Sequence, residues 1–148
     1  MPSSTWSAPS VRRPLPSARP VAGEVVLVIE DNEANMRLVK RVLEFNGYHP
    51  IGATTAEEGI ALAMDQQPDL VLMDMQLPGM DGVAALEHLR SSPRTRAIPV
   101  VALTALALQP DRERLAAAGF DAYLTKPINI LELGEQVRLL CEGRTTEG

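Results

Sequence analysis

Four short apolar runs in this chain lead into residues that can hold or transfer charge. Val25–Ile29 is followed by Glu30-Asp31, Leu70–Met73 by Asp74, and Ile98–Leu103 by Thr104; Phe120–Leu124 is followed, after Thr125, by Lys126. Brought together, these side chains offer three carboxylates, one hydroxyl and one ammonium. Like charges at close range raise one another's pKa or admit a cation. Three carboxylates and one ammonium leave an excess that a divalent cation neutralises. Mg²⁺ suits two or three carboxylates, a main-chain carbonyl and retained waters. A carboxylate can also attack phosphorus, and Asp74 is the nucleophile candidate. The transferring phosphoryl group needs neutralisation from several sides. Metal, the Lys126 ammonium and the Thr104 hydroxyl would supply it.

Taken singly, each residue has a bland explanation. An Asp after a strand is commonly a turn or cap residue. A Thr at a strand end reflects β-propensity, and a Lys before Pro is commonly a solvated loop charge. Their joint occurrence at the same end of successive strands, with complementary chemistry, is what points to a site.

The positioning elements are legible in the pattern. Val25-Val26-Leu27-Val28-Ile29 is a continuous, mostly β-branched run, as expected of a strand buried on both faces. Helical spacing follows over 33–46, at Met36, Val39, Leu43 and Phe45, and Gly47 stops it. A weaker strand covers Tyr48 to Ala53. Thr55 and Glu58 form a capping-box pattern opening a helix to about Gln66. The strand Leu70–Met73 ends at Asp74, and a loop with Pro78 and Gly79 leads to a helix from about Gly82 to Ser91. Ile98 to Leu103 is the fourth strand. Pro110 sits in the first turn of a helix that ends at Gly119. Phe120 to Leu124 is the fifth strand, and Asn129 with Glu132 caps a last helix running to about Cys141. Five β-α units in succession predict an α/β fold: a doubly wound, five-stranded parallel sheet with helices on both faces. Chemistry in such sheets sits at the carboxyl ends of the strands.

Composition excludes several classes. The chain has 148 residues, 45% hydrophobic and 22% charged, ordinary for one globular domain. No apolar run approaches the length of a membrane span. A single cysteine, Cys141, excludes an internal disulfide and suits a reducing compartment. Residues 1–23 hold Arg12, Arg13 and Arg19 and no acid, so the acid excess of the remainder exceeds the whole-chain −5 by three. An acidic body is a poor match for nucleic acid. Residues 1–23, rich in Pro, Ser and Arg, lack an apolar period and read as a disordered tail, without the apolar core of a secretory signal. The ordered domain is expected over 24–142, with 143–148 as a short flexible end.

The motifs Val28-Ile29-Glu30-Asp31-Asn32, Leu72-Met73-Asp74-Met75-Gln76-Leu77-Pro78-Gly79-Met80-Asp81-Gly82, Pro99-Val100-Val101-Ala102-Leu103-Thr104-Ala105 and Tyr123-Leu124-Thr125-Lys126-Pro127 closely resemble those of response-regulator receiver domains, over roughly Glu24 to Cys141. The likeness looks greatest to single-domain receivers of the DivK type and to receivers attached to hybrid kinases. It implies a flavodoxin-like receiver fold and a cytoplasmic signalling role in a two-component phosphorelay. Such a protein is a phospho-acceptor and not a turnover enzyme, although it catalyses its own phosphorylation and slow dephosphorylation. Asp74 would accept phosphoryl from a phosphohistidine of a histidine kinase, hybrid kinase or histidine phosphotransferase. Asp31, Asp74 and the backbone carbonyl of Gln76 would ligate Mg²⁺ directly, and Glu30 through water. Thr104 would bond a phosphoryl oxygen and move toward it, Lys126 would pair with the phosphate, and Tyr123 would swing in behind Thr104, where small Ala105 leaves space. Both switch residues would sit outward before phosphorylation. The Lys126-Pro127 peptide would be cis. Output would pass to a protein target on the face of the fourth helix, fifth strand and fifth helix. Glu30 departs from the Asp found in many members. Gln76 and Leu106 would flank the water that attacks the phosphoryl group.

Other readings are weaker. A flavodoxin-like cofactor carrier or Rossmann enzyme needs a phosphate cradle after the first strand, where Glu30-Asp31-Asn32 would repel one. A scaffold that had lost the chemistry would not need these residues together. Glu142 to Gly148 are too few for a DNA-binding domain, so a stand-alone regulator acting through another protein is expected. His49 and His88 read as surface residues, Cys141 as a small core residue, and Met75 and Met80 as packing. Ala105-Leu106-Ala107-Leu108 could be core, or an apolar partner-binding patch.

Overall fold

The computed structural model describes residues 23–105 and 109–147, with 109–112 and 142–147 described by backbone alone. The expected tail apart from Gly23, and Leu106–Leu108 of the candidate patch, lie outside the described residues. The elements are β1 (Val25–Ile29), α1 (Glu33–Phe45), β2 (His49–Ala53), α2 (Ala56–Gln66), β3 (Leu70–Asp74), α3 (Gly82–Arg90), β4 (Val100–Thr104), α4 (Gln109–Ala118), β5 (Ala122–Thr125) and α5 (Ile130–Glu147). The five strands pair in parallel in the order β2-β1-β3-β4-β5. The expected α/β doubly wound sheet is therefore present.

Alternation along the central strands divides the core into two layers. Leu27, Ile29, Val71, Met73, Val100 and Ala102 pack with Ala56, Ala63, Leu86, Leu89, Leu115 and Phe120 on one face. Val26, Val28, Leu70, Leu72, Val101 and Leu103 pack on the other with Val39, Leu43, Leu133, Val137 and Cys141. β1, β3 and β4 are apolar on both faces because both faces are covered.

Local chemistry sets the boundaries. Asn32 caps α1, its side chain accepting from the Asn35 N–H at 2.9 Å. Gly47, at φ 89°, turns the chain into β2. The Thr55 hydroxyl accepts from the Glu58 N–H at 3.1 Å, but Glu58 returns its bond to the N–H of Thr54 at 3.0 Å and not to Thr55. Asn129 accepts from the Glu132 N–H at 3.0 Å and opens α5.

Three expectations shift. Phe45, grouped with the apolar face of α1, is 91% exposed; at about 100° per residue it lies nearly opposite buried Leu43. β5 begins at Ala122 and not Phe120, because Phe120 turns into the core and the Asp121 carboxylate accepts the Val100 N–H at 2.8 Å. α5 does not stop near Cys141 but continues to Glu147, so most of the segment expected as a flexible 143–148 end is helical. Gly143 weakens a helix interior by about 1 kcal/mol, too little to end a helix already docked through Leu133 and Val137. No helix among the described residues is long and apolar enough to cross a membrane.

α2 approaches the sheet closely at Gly59. A Cβ there would stand 2.3 Å from Cδ1 and 2.7 Å from Cγ1 of Ile29, whose side chain is fully buried and has nowhere to retreat. Gly→Ala in an open helix stabilises by about 1 kcal/mol. Here overpacking reverses the sign, and Gly59→Ala is expected to destabilise by about 1–3 kcal/mol, read as a lower urea midpoint at unchanged slope.

Candidate functional site

Parallel register gathers the polar strand ends. Ile29 pairs with Met73, Asp74 with Leu103, and Thr104 with Thr125. Glu30, Asp74, Thr104 and Lys126 therefore meet at one edge. The connection leaving β1 runs to β2 on one side and the connection leaving β3 runs to β4 on the other, so this edge includes the point where strand order reverses. The backbone reinforces the meeting: the Lys126 N–H donates to the Thr104 carbonyl at 2.8 Å, and the Met75 N–H to the Leu103 carbonyl at 2.9 Å.

One carboxylate oxygen from each of Glu30, Asp31 and Asp74 lies within 4.8 Å of the others. Glu30 is fully buried, Asp74 is 2% exposed, and Asp31 faces solvent. The two oxygens of Asp74 differ. Oδ1 accepts from the Gln76 N–H at 2.9 Å, and Oδ2 is paired with Lys126 Nζ at 3.0 Å. Glu30 Oε2 accepts from the Asn32 N–H at 3.1 Å. Its Oε1 stands 3.4 Å from Lys126 Nζ, within ion-pair range but without hydrogen-bond geometry. That buried oxygen thus lacks a hydrogen-bond partner. Burial raises the Glu30 pKa, aided by the hydrogen bond and charge of Asp74; the Asn32 N–H and the Lys126 charge oppose the rise. Hard oxygens in excess of positive charge, one of them buried and unsatisfied, form a donor set suited to a divalent cation.

The remaining expected residues are close by. The Thr104 side chain is 2% exposed. Tyr123 is half-buried and packs against the core layer that holds Ala102 and Phe120. Thr104 ends a strand covered on both faces, and part of the Tyr123 ring has core to pack against. Ala105 is exposed, and the Lys126–Pro127 peptide is cis. Leu106 lies outside the described residues. His49, at the start of β2, and His88, in the last turn of α3, are exposed, Cys141 is buried, and Met75 and Met80 pack against the core. Two bracing groups escaped the sequence reading: the Asn32 N–H on Glu30 and the Gln76 N–H on Asp74. An Asn ahead of a helix is a readable cap signal, but the carboxylate its N–H serves is not.

A family model for the response regulator receiver domain matches residues 26–138. The chain belongs to the response regulator receiver family. Among curated relatives, the polar-differentiation response regulator DivK of Brucella abortus is 39% identical over 113 residues, covering 76% of this chain and 92% of the relative. Among solved structures, the receiver domain of a Pseudomonas aeruginosa sensor histidine kinase is 34% identical with a TM-score of 0.75, covering 81% of this chain and 98% of that one. It is described with a magnesium ion coordinated in the active-site cleft. A CheY-like receiver from Methanospirillum hungatei is 30% identical with a TM-score of 0.76, covering 85% and 99%.

The raised Glu30 pKa has a consequence for stability in metal-free buffer. A carboxyl whose folded pKa exceeds its unfolded value binds more protons when folded, so its contribution falls as pH rises through the interval above the ordinary 4.5. Glu30→Gln removes that loss. Urea midpoints measured upward from pH 4.5 are expected to favour the variant increasingly over the wild type; parallel profiles would show that Glu30 carries no such strain.

Proposed function

We propose that this receiver accepts a phosphoryl group on Asp74 with Mg²⁺ bound beside it, and that the modified site remodels a protein-binding face. The observation that carries this reading is the setting of Asp74: a nearly buried carboxylate, one oxygen on the Gln76 N–H and the other on the Lys126 ammonium, within an acidic cluster of 4.8 Å.

Glu30, Asp31 and Asp74, with the carbonyl of Gln76, would hold Mg²⁺, and the bound ion supplies neutralisation of the phosphoryl oxygens during transfer. The protein's own groups do the rest. The β3 terminus holds Asp74 still, and the surrounding core limits water. A carboxylate oxygen attacks phosphorus of a phosphohistidine; the P–O bond forms as the P–N bond breaks and the imidazole leaves. The Lys126 ammonium offsets charge on the transferred group, and the Thr104 hydroxyl donates to one of its oxygens. The donor is a histidine kinase, hybrid kinase or histidine phosphotransferase, acting in the cytoplasm.

Output follows from the same contacts. Thr104, drawn to the phosphoryl group, shifts the end of β4, and Tyr123 on neighbouring β5 adjusts behind it. The face of α4, β5 and α5 changes for a downstream protein. This is a population shift, bounded by how much better the phosphoryl group is bound in one state. Chemical complementarity among Asp74, Lys126 and Thr104 favours this over a scaffold without phosphoryl chemistry.

Asp74→Asn is expected to abolish acyl-phosphate formation from acetyl phosphate with Mg²⁺, while far-ultraviolet dichroism stays that of the wild type. Intact-mass measurement checks it. Phosphate retained by the variant on another residue would refute the assignment.

A further inference from the structure

A second cluster of polar contacts lies at the opposite edge of the sheet. Arg90, the last residue of α3, donates through Nη1 to the carbonyls of Arg96 at 3.2 Å and Ile98 at 2.7 Å. Through Nη2 it donates to the carbonyl of Gly119 at 3.1 Å and to Asp121 Oδ2 at 2.9 Å. Asp121 Oδ2 also accepts from the N–H of Val100, the first residue of β4, at 2.8 Å. One guanidinium therefore ties the end of α3, the connection to β4 and the turn between α4 and β5. Arginine's planar fork can serve acceptors on separate segments at once; a lysine ammonium is a point charge on a flexible stem. Gly119, at φ 108°, adopts backbone that L side chains rarely enter, so the carbonyl facing Arg90 is set by a residue suited to that turn.

The strands pinned here are those whose other ends carry Thr104 and lead to Lys126. α4 spans the two edges: its sequence begins shortly after Thr104 and ends against Gly119. Its second half is held by the core, with Leu115 buried, Ala118 packed beside it and Phe120 buried just beyond. The Phe120 N–H returns to the Leu115 carbonyl at 3.2 Å.

We propose that the Arg90–Asp121 clamp is the fixed pivot of α4, so that displacement imposed near Thr104 turns the helix about Gly119 and does not carry it away whole. This rests on the reading that phosphorylation of Asp74 draws Thr104 inward. A pinned far end lets a small movement at the strand terminus remodel the first half of α4 while Leu115 and Phe120 keep their packing. Arg90 touches no reacting group; it is a positioning residue.

Amide hydrogen exchange on the full chain tests this, with and without beryllofluoride and Mg²⁺, in the wild type, Arg90→Lys and Asp121→Asn. In the wild type, beryllofluoride is expected to change exchange over residues 105–113 and leave 116–121 as it was. In the free variants, 116–121 is expected to exchange about tenfold or more faster, as loss of charge-assisted bonds allows, and to respond to beryllofluoride as well. Asp121→Asn preserves side-chain shape and gives the same reading should Arg90→Lys fold poorly. A wild-type response reaching 116–121 as strongly as 105–113 overturns the pivot alone, as does unchanged exchange there in both free variants. A wild type with no response anywhere overturns the Asp74 reading and the pivot with it.

Discussion

Crowded negative charge at one edge of the sheet is the constraint on which this molecule turns. Glu30, Asp31 and Asp74 each bring a carboxylate oxygen within 4.8 Å of the others, so negative charge is crowded there and a cation relieves it. Lys126 supplies one positive charge and contacts both buried acids. It does not satisfy Glu30 Oε1. The edge is therefore built with an electrostatic deficit, which costs stability in the isolated protein and favours a hard divalent ion. Functional sites commonly depart from local optimality in this way.

The rest of the fold serves to keep those charges together. Strands apolar on both faces can exist only under helices on both sides, and the two core layers provide that cover. The layers hold β1, β3 and β4 in a register that places Glu30 beside Asp74 and Thr104 beside Thr125. Close packing matters for position as much as for stability: Gly59 lets α2 press onto Ile29, the residue directly before Glu30. The backbone N–H groups of Asn32 and Gln76 then aim the carboxylates. A side chain that is buried, braced and deprived of water makes a better-oriented nucleophile than one on a mobile loop.

The two edges of the sheet have different characters. The carboxyl edge holds crowded negative charge and a buried carboxylate oxygen without a hydrogen-bond partner. The amino edge is stitched by Arg90 and Asp121, whose polar groups meet several partners each. An edge under strain joined to an edge under constraint is a sound arrangement for a switch, because packed cores move between discrete states more readily than they deform.

Much of this was legible in the chain. Five apolar runs separated by helical spacing specify the doubly wound class, because periods of 2 and 3.6 are local properties of the chain. The polar residues following four of these runs marked the site, and Asn32, Thr55 and Asn129 marked helix starts through local hydrogen bonding. What depends on distant partners was not legible. Phe45 sits at an apolar-looking position and faces solvent; α5 runs past its expected end; the Glu58 return bond goes to Thr54. Burial of Thr104 and partial burial of Tyr123 follow from packing that neither residue announces. The deficit at Glu30 Oε1 and the Arg90 clamp join residues separated by dozens of positions, and only the closed sheet brings them within a few ångströms. Sequence determines which groups are available and how each segment is periodic, whereas tertiary structure decides which of those groups meet, because electrostatic and hydrogen-bond energies depend on distances that chain order does not contain.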